Sequence, residues 1–134
     1  MLDWIFVNVK GTDLHLYNVH LETMMMKQRK RDEQLQAILD HSKSIPADDP
    51  IIVAGDFNSF FPKDRKLFTR LFNENGFQWY SEVLTYTARA LKGILKNKID
   101  HVYGTGISIH TIAVSTHVKA NDHYPVYFNI HFNQ

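Results

Sequence analysis

The chain of 134 residues contains no cysteine. Disulfide frameworks and thiolate metal sites are therefore excluded, and cysteine usage leaves the redox compartment open. There is little excess charge of either sign: 15 Lys and Arg stand against 14 Asp and Glu, a formal net charge of +1 with an isoelectric point near 8.0. That balance is too mild to mark a nucleic-acid-binding protein and does not exclude one. No apolar run approaches the roughly 20 residues that span a bilayer as a helix. The opening stretch "MLDWIFVNVKG" lacks the basic start, long apolar core and small-residue cleavage site of a secretion signal, which points to a cytoplasmic location. Repeats and low-complexity segments are absent as well. What is present is globular: 44% hydrophobic and 22% charged residues, in a length suited to one domain.

Residues 4–10 and 14–22 alternate as strands, with "GTD" (11–13) as a hairpin link. From about Lys27 to Ser44 the pattern becomes helical, with Leu35, Ile38 and Leu39 at i, i+3 and i+4 among charged residues. "SIPADDP" (44–50) breaks it. "IIVAG" (51–55) is a continuous apolar run, the mark of a strand covered on both faces. A second helix fits Lys63–Asn75, with a stripe of Leu67, Phe68, Leu71 and Phe72 and Gly76 as its C-terminal cap. Residues 77–98 read as some strand near Phe77–Val83 followed by a basic loop with Arg89, Lys92, Lys96 and Lys98. Residues 99–103, 107–114 and 124–132 close the chain as strands. In the last, Val126, Phe128, Ile130 and Phe132 alternate with Tyr127, Asn129 and His131, so one face is buried. The fold class is α/β (α+β): a mixed sheet with helices on one face.

Polar residues gather where these strands end. Asn18 and His20 sit in "NVHLE", Asp56 and Asn58 in "GDFN", Asp100 in "KIDHVY", and Asp122 and His123 in "NDHYP". Functional side chains cluster at strand ends in α/β sheets because the loops there converge on one edge. Each has a plainer reading. Asp-x-Asn after a strand is a common turn or cap; His20 suits a half-buried structural histidine; Asp100 can pair with Lys98; Asp122 and His123 can merely lead into a strand. The four together, in this order, are harder to explain as caps and turns.

The set resembles the endonuclease/exonuclease/phosphatase superfamily of metal-dependent phosphoesterases. "NVHLE", "GDFNS", "IDHVY" and "NDHYPV" match its N-x-H-L, G-D-F-N, I-D-h-h and S-D-H-x-P-h motifs, with Asn121 where Ser is usual. The resemblance covers essentially the whole chain and implies the C-terminal half of a four-layer α/β/β/α sandwich, as a single domain over residues 1–134. It implies that His123 is the general base or phosphate-contacting histidine and that Asp100 orients it. Asp56 and Asn58 would position the attacking water and the phosphate, Asp56 also facing the metal. Asp122 would be a metal ligand, and His20, with Asn18 near it, would bind phosphate. Oxygen ligands imply Mg²⁺ or Mn²⁺. Imidazole titrates in the range that proton transfer near neutrality requires.

The implied reaction is hydrolysis of a phosphate ester, with nucleic acid among the candidate substrates. "KQRKR" (27–31) could touch a phosphate backbone, but reads better as a solvated first helical turn. Phe60 and Phe61 could stack on a base or touch lipid, but read better as core. The family's N-terminal half brings an Asn and the main metal-binding Glu, and neither matches anything here. Glu22 cannot stand in for that Glu, so activity of this chain alone is expected to be weak or absent. The apolar sheet face away from the helices would need a cover, either a separately supplied N-terminal half or a second copy in a homodimer. Two alternatives from other classes are a catalytically silent interaction module on this fold and an unrelated α/β protein whose polar strand ends are structural.

Overall fold

In the computed structural model, residues 2–22, 28–118 and 121–133 are described. The chain runs β1 (Leu2–Val9), β2 (Thr12–His20), α1 (Gln28–Ser42), β3 (Ile51–Asp56), α2 (Pro62–Glu74), β4 (Gln78–Trp79), β5 (Ala88–Ala90), β6 (Leu95–Asn97), β7 (Asp100–Thr105), β8 (Ile107–Val114) and β9 (Val126–Phe132). A mixed sheet has the order β1-β2-β3-β7-β4, with β2 and β3 parallel and its other pairs antiparallel. The pairs β5–β6 and β8–β9 form separate two-stranded sheets.

Both helices form where periodicity places them; the expected helical residue Lys27 lies outside the described residues. The first link is tighter than the three residues expected. Val9 pairs with Thr12, leaving Lys10 and Gly11 at φ 52° and 90°. Two left-handed central residues suit the right-handed twist of a two-residue hairpin. Residues 77–98 also hold more structure than a strand and a loop. The short β4 passes into a 3₁₀ turn over Tyr80–Val83, and the basic segment folds into the β5–β6 ribbon.

Alternation along the strands divides the apolar side chains between two faces. On one, Leu35, Ile38 and Leu39 of α1 and Phe68 and Phe72 of α2 pack with Tyr17, Val19, Val53, Phe57 and Tyr103. On the other, Leu14, Ile52 and Val102 meet Ile107 and the apolar side of β8–β9, including Ile112, Phe128 and Ile130. The second face is thus not left wholly to water, as the sequence suggested: β8–β9 folds back over it. Alternation in β9 shows that one face is buried but not which layer buries it. The cover is partial. A cleft of about 580 Å³ remains, lined by Ile5, Leu16, Ala54, Val102, Val126 and Phe128 among others.

Two further expectations need correction. Within "KQRKR", Arg29 is exposed and pairs with Glu33 at 2.7 Å, but Arg31 is fully buried. Its Nη2 lies 3.4 Å from Asp64 Oδ1, its Nη1 donates to the Asn58 carbonyl at 3.0 Å, and its guanidinium sits 5.6 Å from the Phe68 ring centroid. Arg31 falls at i−4 from Leu35 and so shares the inward stripe. It ties α1, α2 and the loop after β3 together. Phe60 and Phe61, expected in the core, are 39% and 46% exposed, because α2 begins only at Pro62 and the loop before it runs over the surface.

Behind the second-face edge lies a buried relay. Trp79 Nε1–H donates to His101 Nδ1 at 3.2 Å, so the ring proton sits on Nε2 and donates to Ser59 Oγ at 2.6 Å. Burial above all, helped by the positive charges of Lys98 and Arg65, pushes the His101 pKa down to about 3. The ring is neutral in the fold and protonates freely in the unfolded chain below about pH 6.5. Because the folded pKa lies below the unfolded one, stability is complete above pH 6.5 and drains away as pH falls toward 3. Denaturant titrations should show His101 withdrawing about 2 kcal/mol between about pH 7.5 and about pH 5. The difference between parent and His101→Gln isolates this from other histidines; an equal acid loss in both proteins would refute it.

Gly55 generates a second prediction. Its φ is +138°, and a Cβ built on it would lie 2.1 Å from the Val19 carbonyl oxygen. The obstacle is the backbone of β2, which cannot swing aside. Gly55→Ala should destabilise the protein by roughly 2–4 kcal/mol, measured by chemical unfolding. A change within about 0.5 kcal/mol would contradict the observed closeness of β2 and β3.

Candidate active site at the sheet edge

The parallel strands β2 and β3 end at the same edge of the sheet, and the antiparallel β7 begins there. The register sets His20 opposite Asp56 and Asp56 opposite Asp100, so three neighbouring strands present these residues side by side. Ile52, Ala54 and Val102 on the same strands belong to the second core, so by alternation Asp56 and Asp100 share the face away from the helices. His123 arrives from the segment between β8 and β9. An isolated bridge to Ala88 fixes it there, flanked by hydrogen bonds from the Arg89 N–H to the Asp122 carbonyl and from the Tyr124 N–H to the Thr87 carbonyl.

The side chains converge. His123 Nδ1 lies 2.9 and 3.0 Å from the two Asp100 carboxylate oxygens. The other ring nitrogen, Nε2, is 3.7 Å from Asp56 Oδ2, and His20 Nε2 is 3.8 Å from that same oxygen. Asp56 Oδ2 is therefore flanked by two imidazoles at distances that one water can bridge. Its partner oxygen, Oδ1, accepts the Asn58 N–H at 2.8 Å, an Asx turn that fixes the carboxylate plane. Thr87 Oγ1 accepts the N–H groups of Ile99 and Asp100 at 3.2 and 3.0 Å and so holds the start of β7.

Burial by itself lowers the His123 pKa, but the carboxylates of Asp100, Asp56 and Asp122 outweigh it and raise the pKa above the ordinary histidine value. Desolvation raises that of Asp100, and repulsion from Asp56 adds to it against the opposing hydrogen bonds of Thr87 and His123. The neighbouring carboxylates thus favour the protonated imidazole of His123 relative to a free histidine.

Of the residues singled out in the sequence, His20, Asp56, Asp100 and His123 come together. Asn58 lies beside them but is turned inward. It is 4% exposed, has φ +48°, and its Nδ2 donates to the Leu21 carbonyl at 2.7 Å. Strand alternation would give Asp56 and Asn58 a common direction, but β3 ends at Asp56 and the two diverge. Asn18 is exposed, two residues before His20, and lines the cleft. Asp122 is exposed, and its carboxylate stands outside the metal-sized group of Asp56, Asp100 and His123, whose ligand atoms lie within 4.8 Å of one another. Two carboxylates and one imidazole form a donor set that divalent cations accept. With Nδ1 given to Asp100, His123 would offer only Nε2. The supports at Thr87 and Ala88 had no sequence signal, since one acts through a hydroxyl on distant backbone and the other through backbone alone. A larger groove of about 710 Å³ between α2 and β4 contains none of these residues.

The sequence profile of the Endonuclease/Exonuclease/phosphatase family matches residues 3–123. Curated proteins gave no match. Among solved structures, D. rerio TDP2 complexed with single strand DNA product is 19% identical, with a TM-score of 0.77 over 97% of this chain and 61% of its own. An endonuclease/exonuclease/phosphatase from Beutenbergia cavernae is 22% identical, with a TM-score of 0.79 over 98% of this chain and 39% of its own. The mannosyl-6-phosphatase Bt3783 of Bacteroides thetaiotaomicron is 18% identical, with a TM-score of 0.67 over 91% and 52%. The chain thus spans between 39% and 61% of the length of these three structures. With the profile matched across nearly all of its length and the fold shared, the chain belongs to the endonuclease/exonuclease/phosphatase family.

Proposed function

We propose that the chain carries the histidine–aspartate half of a phosphate-ester hydrolase site. The family is one of metal-dependent hydrolytic phosphoesterases. The observation that carries the reading is the run of contacts from His20 through Asp56 to His123 and Asp100. Asp100 holds the His123 ring with its Nδ1–H toward the carboxylate and aims Nε2 at the space beside Asp56. At that atom a proton can be taken from water or given to a leaving oxygen. Asp56 Oδ2 orients the water between the imidazoles, and His20, more exposed, reaches the phosphoryl group. Asn58 serves by pinning the turn that carries Asp56, and Asp122 by the charge it adds near His123. A divalent cation held by Asp56 and its neighbours, Mg²⁺ or Mn²⁺, would neutralise phosphoryl charge and acidify water.

The arrangement suits a phosphate ester without selecting its alcohol. Likeness to structures bearing single-strand DNA and acting on a sugar phosphate supports either class. A further sheet would seat over the cleft above β1–β3. With only two carboxylates and a histidine grouped among the described residues, hydrolysis by this chain alone should be slow. The silent interaction module is the competing reading.

Ring-proton NMR separates the two. Mn²⁺ should broaden the His20 and His123 signals selectively, and Asp56→Ala should abolish the effect; uniform broadening would remove the proposed site. Any Mg²⁺- or Mn²⁺-dependent hydrolysis of an aryl phosphodiester should fall about a hundredfold or more in Asp100→Asn, with KM little changed. A rate that survives Asp100→Asn eliminates the dyad, and brisk turnover by the unmodified chain eliminates the half-site.

A further inference from the structure

We infer that the β5–β6 ribbon is an interfacial anchor for anionic phospholipid bilayers, holding the neighbouring site at headgroup height. The ribbon stands apart from the main sheet. At its tip Leu91, Ile94 and Leu95 are 66%, 82% and 50% exposed, among the barest aliphatic side chains described. Turn propensity does not account for them. Leu91 and Lys92 adopt φ 50° and 57°, where Gly, Asn or Asp is the usual occupant. Bulky residues held in such conformations persist at ligand contacts.

The chemistry is layered. Behind the aliphatic tip come Arg89 and Lys96, each drawn over a tyrosine ring: Arg89 over Tyr124 at 5.6 Å and Lys96 over Tyr86 at 4.5 Å. The two tyrosines meet edge-on at 5.7 Å. Residues 88–98 carry four cations and no acid. Apolar tip, then cations with amphipathic rings, is the order of layers at a bilayer surface, where aliphatic groups enter the acyl boundary and Lys, Arg and Tyr stay with the headgroups. Nucleic acid fits less well. Its stacking platforms are aromatic, and here the aromatic rings sit behind cations while aliphatic groups lead.

The placement couples the ribbon to the site. Ala88, at its base, bridges to His123. Leu91 lies three residues farther, roughly 10 Å at the rise of a strand. Insertion of the tip by about 5–10 Å would leave His123 level with phosphate groups. The inference concerns where the chain sits and does not rest on turnover.

The test is co-sedimentation of the whole chain with phosphatidylcholine vesicles with and without phosphatidylserine. Binding should require phosphatidylserine. Leu91→Glu with Ile94→Glu, and separately Lys92→Glu with Lys96→Glu, should each weaken it about tenfold or more. Both double variants alter exposed side chains, and circular dichroism checks their folding. Ile5→Glu, on β1 and outside the ribbon, should bind as the parent does. Absence of binding, equal loss in Ile5→Glu, or retention in the tip variants would overturn the inference. So would stronger binding to a single-stranded oligonucleotide that the tip variants abolish.

Discussion

The close approach of Gly55 to the carbonyl of Val19 governs the geometry of the site. A side chain at position 55 would strike β2 at 2.1 Å. Its absence lets β3 lie against β2 up to the last pair, His20 opposite Asp56. Since β7 then pairs on the other side of β3, the same register delivers Asp100. One missing Cβ therefore aligns three polar side chains of the candidate site from three strands far apart in sequence. Two structural ties keep that alignment. Arg31, buried between the helices, holds the Asn58 carbonyl, and Asn58 in turn grips Leu21 just beyond His20.

Charge explains why this edge differs from an ordinary strand end. Two carboxylates from adjacent strands repel each other, and burial works against both. The imidazole of His123 offsets that cost by sharing its proton with Asp100 while facing Asp56. Just behind, His101 does the opposite. It is neutral, locked by Trp79 and Ser59, and excluded from proton traffic. Two histidines on neighbouring loops and strands thus differ in role because one has carboxylates within reach and the other has only hydroxyl, indole and nearby cations.

The two faces of the sheet are finished unequally. Helices close one with stacked aromatic rings, Phe72 and Tyr103 lying 4.1 Å apart. The β8–β9 pair closes part of the other and stops short of β1, where Ile5 and Val7 stay 57% and 41% exposed. The site lies at the margin of that partly covered face.

Much of this was legible in the sequence by itself. Helix stripes such as Leu35, Ile38 and Leu39, and strand alternation in residues 126–132, follow from local periodicity and survive folding unchanged. That His20, Asp56, Asp100 and His123 meet at one edge was legible too, because motif order records which strand ends carry polar groups. What tertiary structure alone decided is everything that depends on contacts between distant segments. The inward turn of Asn58, the burial of Arg31, the exposure of Phe60 and Phe61, the ribbon that props His123, and the layer that covers the second face are of this kind. Periodicity fixes which way a side chain points from its own element. Packing fixes what it meets there, and that depends on register, loop length and burial that no single segment encodes.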